Sequence, residues 1–402
     1  MTTMPAPTPS APGHQLTVAG LFAGIGGIEL GLQHAGHHSV LLCEIDPGAR
    51  KVLEAQFPDV PLTRDVRELQ TIGSVDLLAG GFPCQDVSQA GRTAGIGGRN
   101  SGLVGHVFRL LDALKKRGPR WLLLENVSFM LQLDRGKGMR YLVDELEARG
   151  FAWAYRVVDT RAFGLPQRRQ RVILLASRTE DPRHVLLSAD AGEETPPSAP
   201  DAWRGFYWTE GTRGLGWAID AIPTLKGGST IGIPSPPAIW IPRPRRGQAE
   251  IVTPEIRDAE RLQGFNEGWT ASALEAEGVR RGHRWKLVGN AVSVPVAQWV
   301  GQQLAAPGRF SLPGTALREG VLWPRAAWGS KGKGYAVEAS MWPVRWPRPH
   351  LADFVHHDPT PLSQKAAAGF LSRASESSLR FEPGFLDAVA HHVERMRRAS
   401  AA

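Results

Sequence analysis

Leu16-Thr17-Val18-Ala19-Gly20-Leu21-Phe22-Ala23-Gly24-Ile25-Gly26-Gly27 is the stretch on which the fold turns. Residues 16–22 form a short apolar run, and Gly24, Gly26 and Gly27 interrupt it just before a helical pattern begins. A strand that ends in a glycine turn and passes into a helix lets the backbone approach a bound cofactor closely. Taken alone the turn is weak evidence, because a merely structural strand–helix turn would look the same. The full dinucleotide fingerprint is also missing, since position 29 is Glu rather than a small residue.

Working outward, Ser39–Cys43, Val75–Ala79 and Trp121–Leu124 read as further buried strands. Asp46–Phe57 and Ser101–Arg117 carry helical spacing between them, and Phe151–Asp159 and Arg171–Ala176 add two more strands. Apolar strands alternating with helices predict an α/β fold with a mainly parallel sheet covered on both faces. After Ser177 the texture changes. Residues 178–250 are rich in Pro, Gly and Trp with little periodicity, and predict irregular or short-stranded structure. A helical segment follows from Thr253 to Leu262, and another from Val294 to Leu304. Beyond Pro307 lies an extension with Trp323, Trp328, Trp342 and Trp346, which we read as packing on the larger lobe rather than reaching a partner. Near its end, Phe385, Val389, Val393 and Met396 share one helix face, with Pro383 close to the start.

Composition narrows the function classes. With 402 residues, 42% of them hydrophobic, the chain can bury a sizeable core, and at roughly 100–200 residues per domain it suggests two or three lobes. No apolar run reaches the roughly 18 residues of a membrane span, and Met1–Gly13 lacks the regions of a secretory signal. The expectation is a short disordered tail on a cytoplasmic protein. Cys43 and Cys84 are the two cysteines, each expected as a reduced thiol. Lys plus Arg exceed Asp plus Glu by 47 to 39, a formal charge of +8, compatible with a polyanionic partner and equally with a basic surface.

The groups that carry chemistry fall at strand ends. Glu44 stands 20 residues after Gly24 and closes the second strand, where a carboxylate accepts hydrogen bonds from ribose hydroxyls. Asp65 follows a third short strand and suits the amino group of an adenine ring, or simply a solvated loop. Gly80-Gly81-Phe82-Pro83-Cys84-Gln85 places a thiol directly after Val75–Ala79, at the sheet edge where open α/β proteins bind ligands. Cys43, inside a strand, reads as an apolar filler. Glu125-Asn126-Val127 puts a carboxyl at the same edge after four apolar residues, and burial there raises its pKa towards proton donation at neutral pH. In Gln167-Arg168-Arg169-Gln170-Arg171, alternate residues Arg169 and Arg171 share one side.

In this order and spacing, these segments make the chain resemble the bacterial-type DNA (cytosine-5)-methyltransferase family. Arg261-Leu262-Gln263-Gly264-Phe265 and Gly289-Asn290-Ala291-Val292 complete the set, and the resemblance covers nearly all of residues 15–305. It implies a Rossmann-like AdoMet-dependent methyltransferase sheet with a smaller, irregular target-recognition domain and a C-terminal extension. The implied division is a tail over 1–14 and a catalytic, AdoMet-binding domain over 15–177. Target recognition takes 178–250, a return to the catalytic domain 251–306, and the extension 307–402.

The resemblance also implies roles. Cys84 is the nucleophile, Glu125 contacts N3 and N4 of cytosine, and Arg169 and Arg171 position the base. Phe22, Gly24, Ile25, Gly26, Glu44, Ile45, Asp65, Val66, Pro83, Leu103, Asn290 and Ala291 hold S-adenosyl-L-methionine. Gln85, Ser88, Asn126, Gln167, Arg168, Thr224 and Leu225 touch DNA or the target base, and the loop from Gln85 to Gly102 closes over it. No metal is implied. The partner is double-stranded DNA, met in the bacterial cytoplasm at the nucleoid by a monomer, with room for a cognate restriction endonuclease encoded elsewhere. One departure is Thr253-Pro254-Glu255-Ile256-Arg257-Asp258, with extra residues before Arg257 compared with the family's usual helix entry.

The chemistry explains why these residue types are needed. Cytosine C5 is a poor nucleophile until a thiolate adds at C6, and a free thiol, with a pKa of about 8.5, suits that step. A stacked base is out of reach, so the nucleotide must rotate out of the helix. Three rivals remain at this stage. An RNA methyltransferase could use the same scaffold, though the long recognition segment favours DNA. A DNA-binding protein without catalysis would not need Cys84, Glu125 and Arg171, and a nucleotide-dependent oxidoreductase leaves the Gln167–Arg171 run unexplained.

Overall fold

The apolar run 16–22 becomes β1 (Thr17–Leu21), and the runs after it become β2 (His38–Cys43), β3 (Leu62–Thr63), β4 (Leu77–Gly81) and β5 (Trp121–Val127). They lie in the order β3-β2-β1-β4-β5 and every pair is parallel. This computed structural model describes residues 14–82, 102–114, 117–194, 200–208, 214–227, 236–318, 320 and 322–401. Val18, Ala19, Leu77 and Leu122 are wholly buried, as expected of strands covered on both faces. The helix Gly27–His34 packs against Val294–Ala305, while Leu103–Leu114 meets Lys137–Ala148 through an edge-on Phe108–Tyr141 contact at 6.3 Å.

Register fixes what stands at the carboxyl edge. Leu21 pairs with both Cys43 and Gly80, and Gly81 pairs with Glu125. Phe22, Glu44, Phe82 and Glu125 therefore emerge close together along one edge of the sheet.

The parallel arrangement stops at β5, which corrects the mainly parallel sheet read from the sequence. β6 (Ala152–Asp159), β7 (Gln167–Arg168) and β8 (Gln170–Ser177) follow one another without a crossover helix, and parallel pairing requires one. β8 accordingly runs antiparallel to both β5 and β6.

Past residue 200 come β9 (Arg204–Trp208), β10 (Leu215–Ile219), β11 (Ile222–Pro223), β12 (Ala238–Trp240) and β13 (Ile251–Thr253). The strand β13 ends at Thr253, so the next helix spans Ile256–Leu262 rather than starting at Thr253. The extension supplies β14 (Gly314–Ala316), β15 (Ala326–Ser330), β16 (Lys333–Val337) and β17 (Thr360–Pro361), and it serves two sheets. β15 adds antiparallel to the free edge of β6, with β16 and β14 beyond it, giving a ten-stranded mixed sheet.

Trp323 lies edge-on to Trp153 at 6.0 Å, Trp346 edge-on to Phe163 at 5.8 Å, and Trp342 is buried, so these three pack on the large lobe. Trp328 stacks on Tyr335 within the extension itself. β17 instead joins a five-stranded antiparallel sheet ordered β10-β9-β12-β13-β17. The helices Gln364–Ser375 and Phe385–Ala401 cover one face of that sheet. Among the described residues, no helix is long and apolar enough to cross a membrane.

Candidate active site

The glycine turn forms as its sequence suggests. Gly24 takes a φ of +57°, a left-handed conformation that favours glycine, and its amide donates to Glu44 Oε2 at 2.7 Å. Gly27 is needed for a different reason. A Cβ there would collide with the carbonyl oxygen of Val292, so the missing side chain lets the segment after Asn290 lie on the turn.

Glu44 Oε1 also accepts the Asp46 amide at 2.8 Å, and burial raises the pKa of its carboxyl above the ordinary value. Phe22, Glu44, Ile45, Asp65, Val66 and Leu103 all line a cavity of about 190 Å³, together with Cys43, Arg64 and Arg67. Ile45 is 56% exposed, which leaves an apolar surface at its lip.

Other residues of the expected cofactor set sit elsewhere. The Ile25 side chain is buried in the core on the far side of the turn, and its carbonyl accepts the Trp269 indole at 2.8 Å. Asn290 and Ala291 do not line the 190 Å³ cavity. Ala291 instead offers its carbonyl to Arg169. Pro83, Cys84, Gln85 and Ser88 lie outside the described residues, as does the loop up to residue 101.

The chain enters that segment at a defined place. Asn126 is buried, and its amide donates to the Phe82 carbonyl at 2.9 Å, so it anchors the loop entry rather than facing a base. A Cβ at Gly81 would come within 3.1 Å of Glu125 Oε2. Phe82, two residues before Cys84, is therefore held beside Glu125. The Glu125 carboxyl is buried and pairs with Arg171 Nε at 2.8 Å. Burial raises its pKa, and the nearby Arg171 and Arg169 partly oppose that shift.

The two arginines of one run do different things. Arg169 is buried, and burial pulls its pKa well below the usual value. It donates to the Leu225 carbonyl at 3.0 Å, the Gly289 carbonyl at 3.2 Å and the Ala291 carbonyl at 2.6 Å. Arg169 was expected at the base, and in the structure its terminal nitrogens bond three backbone carbonyls on two segments, Leu225 and Gly289–Ala291. Arg168 is exposed and forms no ion pair among the described residues.

Gln167 and Leu225, expected at the DNA, are both buried. Gln167 accepts the Leu225 amide at 3.0 Å and donates to the Leu262 carbonyl at 2.7 Å. β7 pairs in parallel with β11, and Thr224 Oγ1 donates to the Arg168 carbonyl at 2.9 Å, which staples the segment Ile222–Leu225 to the Gln167–Arg169 strip.

Sequence reasoning gave no role to the polar knot around Gln263. This buried side chain donates to Val288 O at 2.8 Å and accepts from Ser293 Oγ at 2.6 Å. The available signal was a glutamine in Leu262-Gln263-Gly264-Phe265, polar among buried apolar neighbours. Arg67 was missed too. It grips both oxygens of Asp65 and holds that carboxyl down at about 2. Cys43 reaches the cavity wall, but burial pushes its thiol up to about 12, which keeps it protonated.

Residues 16–201 match the family model described as C-5 cytosine-specific DNA methylase. Over 391 residues the chain is 46% identical to the type II methyltransferase M2.BsuMI of Bacillus subtilis (strain 168), across 94% of this chain and 99% of that protein. It is 26% identical over 322 residues to the type II methyltransferase M.DsaV of Dactylococcopsis salina, across 72% of this chain and 86% of that one. The Dnmt2 methyltransferase of S. pombe superposes with a TM-score of 0.52 at 18% identity, over 72% of this chain and 98% of that chain, a likeness of fold alone.

Proposed function

Because the chain belongs to the C-5 cytosine-specific DNA methylase family, we propose that it methylates C5 of a cytosine rotated out of a specific duplex DNA sequence, through a covalent bond between Cys84 and C6. It is a DNA (cytosine-5-)-methyltransferase of the type II restriction-modification kind. The observation that carries the mechanism is the buried Glu125, paired with Arg171, at the point where the chain runs into Pro83-Cys84-Gln85.

S-adenosyl-L-methionine, when bound, supplies the methyl group in an activated sulfonium form. The residues around the 190 Å³ cavity fit it. Each Glu44 oxygen accepts one backbone N–H and keeps a lone pair for a ribose hydroxyl. Asp65 can accept from the adenine amino group, and the exposed Ile45 offers a face to the ring. Phe22, Val66 and Leu103 close the walls, and the open space over Gly24 allows close approach, while Gly26 makes room for Phe57 in the core.

The chain's own task is to make C5 reactive. Addition of the Cys84 sulfur to C6 pushes the C5–C6 electron pair towards C5 and the N3 side of the ring. A protonated Glu125 hydrogen-bonds or protonates N3 and stabilises that charge, and burial, by raising its pKa, favours the proton-carrying form. Arg171 fixes the carboxyl and stands ready for the base's O2. Loss of the C5 proton after methylation expels Cys84 and restores the aromatic ring. Arg168 and Thr224 face the DNA, while Arg169, Gln167 and Leu225 set their position from behind.

The protein works as a monomer on nucleoid DNA in the bacterial cytoplasm, and a cognate endonuclease encoded elsewhere suits the type II relatives. The test is methylation of plasmid DNA by the purified protein, followed by base-resolution mapping of 5-methylcytosine. One sequence context should be methylated, and Cys84→Ala should abolish the signal while S-adenosyl-L-methionine still binds. Full activity in that variant, or methylation of tRNA in place of duplex DNA, overturns the proposal.

A further inference from the structure

Two observations on the small sheet were invisible in the boundaries read from the sequence. One of its five strands, β17, comes from residues 360–361, and one whole face is covered by the final two helices. Phe385 sits at the centre of that cover, with its ring 4.4 Å from Trp217, 5.1 Å from Phe206 and 5.3 Å from Trp240. Phe370 meets Phe206 at 4.5 Å and Trp208 at 5.6 Å. At the lip, Glu382 pairs with Arg204 at 2.8 Å. The helix is also tied to the edge strand, since His392 Nε2 bonds the Leu362 carbonyl at 2.7 Å and the Leu362 amide donates to Ile251. Without this cover, a face carrying Phe206, Trp208, Trp217 and Trp240 would stand in water, and a short-stranded sheet with one bare face does not hold its shape.

The opposite face points at the catalytic centre. Side chains alternate along β9, so Phe206 turns to the helices and Tyr207 turns away. Lys226 lies over the Tyr207 ring at 4.1 Å, next in sequence to Leu225, whose carbonyl Arg169 holds. A contact path thus runs from Phe385 through Phe206 in β9 to Tyr207, Lys226 and Arg169.

We propose that residues 360–401 form the outer half of the DNA-recognition lobe, and that Phe385 is a positioning residue for base selection, acting through β9 on Tyr207 and Lys226. The inference rests on the reading that residues 178–250 recognise DNA.

The full-length Phe385→Ala and Phe385→Leu variants test it, with hydrogen exchange and steady-state kinetics as readouts. In Phe385→Ala, exchange rises in residues 204–208 and 238–240. The kcat/KM preference for the mapped duplex over single-base variants falls by about tenfold, the scale of one mismatched contact. The KM for S-adenosyl-L-methionine stays within about twofold, and Phe385→Leu recovers most of the preference by refilling the space.

Unchanged exchange overturns the packing claim. Raised exchange with the sequence preference intact also overturns the proposal, and that outcome places the fault in the recognition reading rather than in the packing. If Phe385→Ala does not fold, Glu382→Gln loosens the same lip without opening the core. It should shift preference the same way by a smaller factor, and no shift there counts against the proposal.

Discussion

The two larger sheets of this molecule carry function in opposite ways. In the large sheet, each chemical group follows directly from a strand end. Glu44 follows β2, Phe82 follows β4, and Glu125 lies near the carboxyl end of β5, all aligned by one parallel register. In the small sheet no single strand end matters. Its five strands are drawn from residues 204 to 361, its core is aromatic, and its link to catalysis is a set of backbone carbonyls gathered by Arg169. Chemistry placed at strand ends is local in sequence, whereas the seam between two lobes is made by residues far apart in the chain.

That contrast predicts that a replacement in the large-sheet edge removes chemistry and leaves the fold standing. Glu125→Gln keeps the shape of the side chain but cannot deliver a proton to N3. The kcat should fall by about 10²–10⁴-fold, the usual worth of a positioned acid or base. Melting temperature and cofactor affinity should stay close to the parent. The parent's rate should also decline as pH rises through the elevated pKa of Glu125, because the protonated form does the work, and the variant should lose that decline. A Glu125→Gln enzyme within a few-fold of parental kcat would remove the carboxyl from the mechanism.

At the seam the outcome should be mixed. Arg169→Leu leaves the Leu225, Gly289 and Ala291 carbonyls short of donors inside the protein. Relief from burying a cation offsets part of that loss, so the net destabilisation should be about 2 kcal/mol. Urea unfolding measures this directly. Activity should fall with it, since the same carbonyls fix the Thr224–Leu225 segment and the Asn290–Ala291 turn. Arg171→Leu should show the reverse balance, with little change in stability and a large loss of turnover. Equal unfolding midpoints for parent and Arg169→Leu, with activity gone, would mean that Arg169 touches the base after all.

The same contrast explains what was legible in the sequence. The parallel strands, the glycine turn, Glu44 and Glu125 follow from short apolar runs and what punctuates them, so they could be read locally. The antiparallel half was misread because a parallel strand and an antiparallel one have the same apolar pattern. Only the missing crossover between Asp159 and Gln170 distinguishes them. Arg169 and Arg171 sit two residues apart on one side, and the family resemblance implies the same role at the base for both, with nothing local to separate them. Which carbonyls a buried guanidinium will find depends on Leu225, Gly289 and Ala291, each more than fifty residues away. The role of residues 360–401 was hidden for the same reason, because the helix face of Phe385 and Val389 showed that something would be covered without showing what.

The smallest effect on turnover belongs to Glu29, in the first turn of the helix Gly27–His34, where its carboxyl packs against Gly20 of β1. Among the described residues neither of its buried carboxyl oxygens has a hydrogen-bond partner, and burial, with Glu44 nearby, pushes its pKa up to about 8. The unfolded chain ionises this group near its ordinary value of 4.5, while the folded chain holds the proton up to about 8. Unfolding therefore releases a proton between those limits, and stability must fall as pH rises through that window, by at most about 1.4 kcal/mol per pH unit. Above the folded pKa the slope disappears. Glu29→Gln carries no such proton, so its stability should exceed the parent's by a margin that is near zero at pH 4 and grows towards pH 8. Urea unfolding at several pH values would show two diverging curves. Parallel curves would mean that the carboxyl is already ionised and paired in the folded protein. The seam between that helix and β1 would then hold a charge that its apolar packing gives no reason to expect.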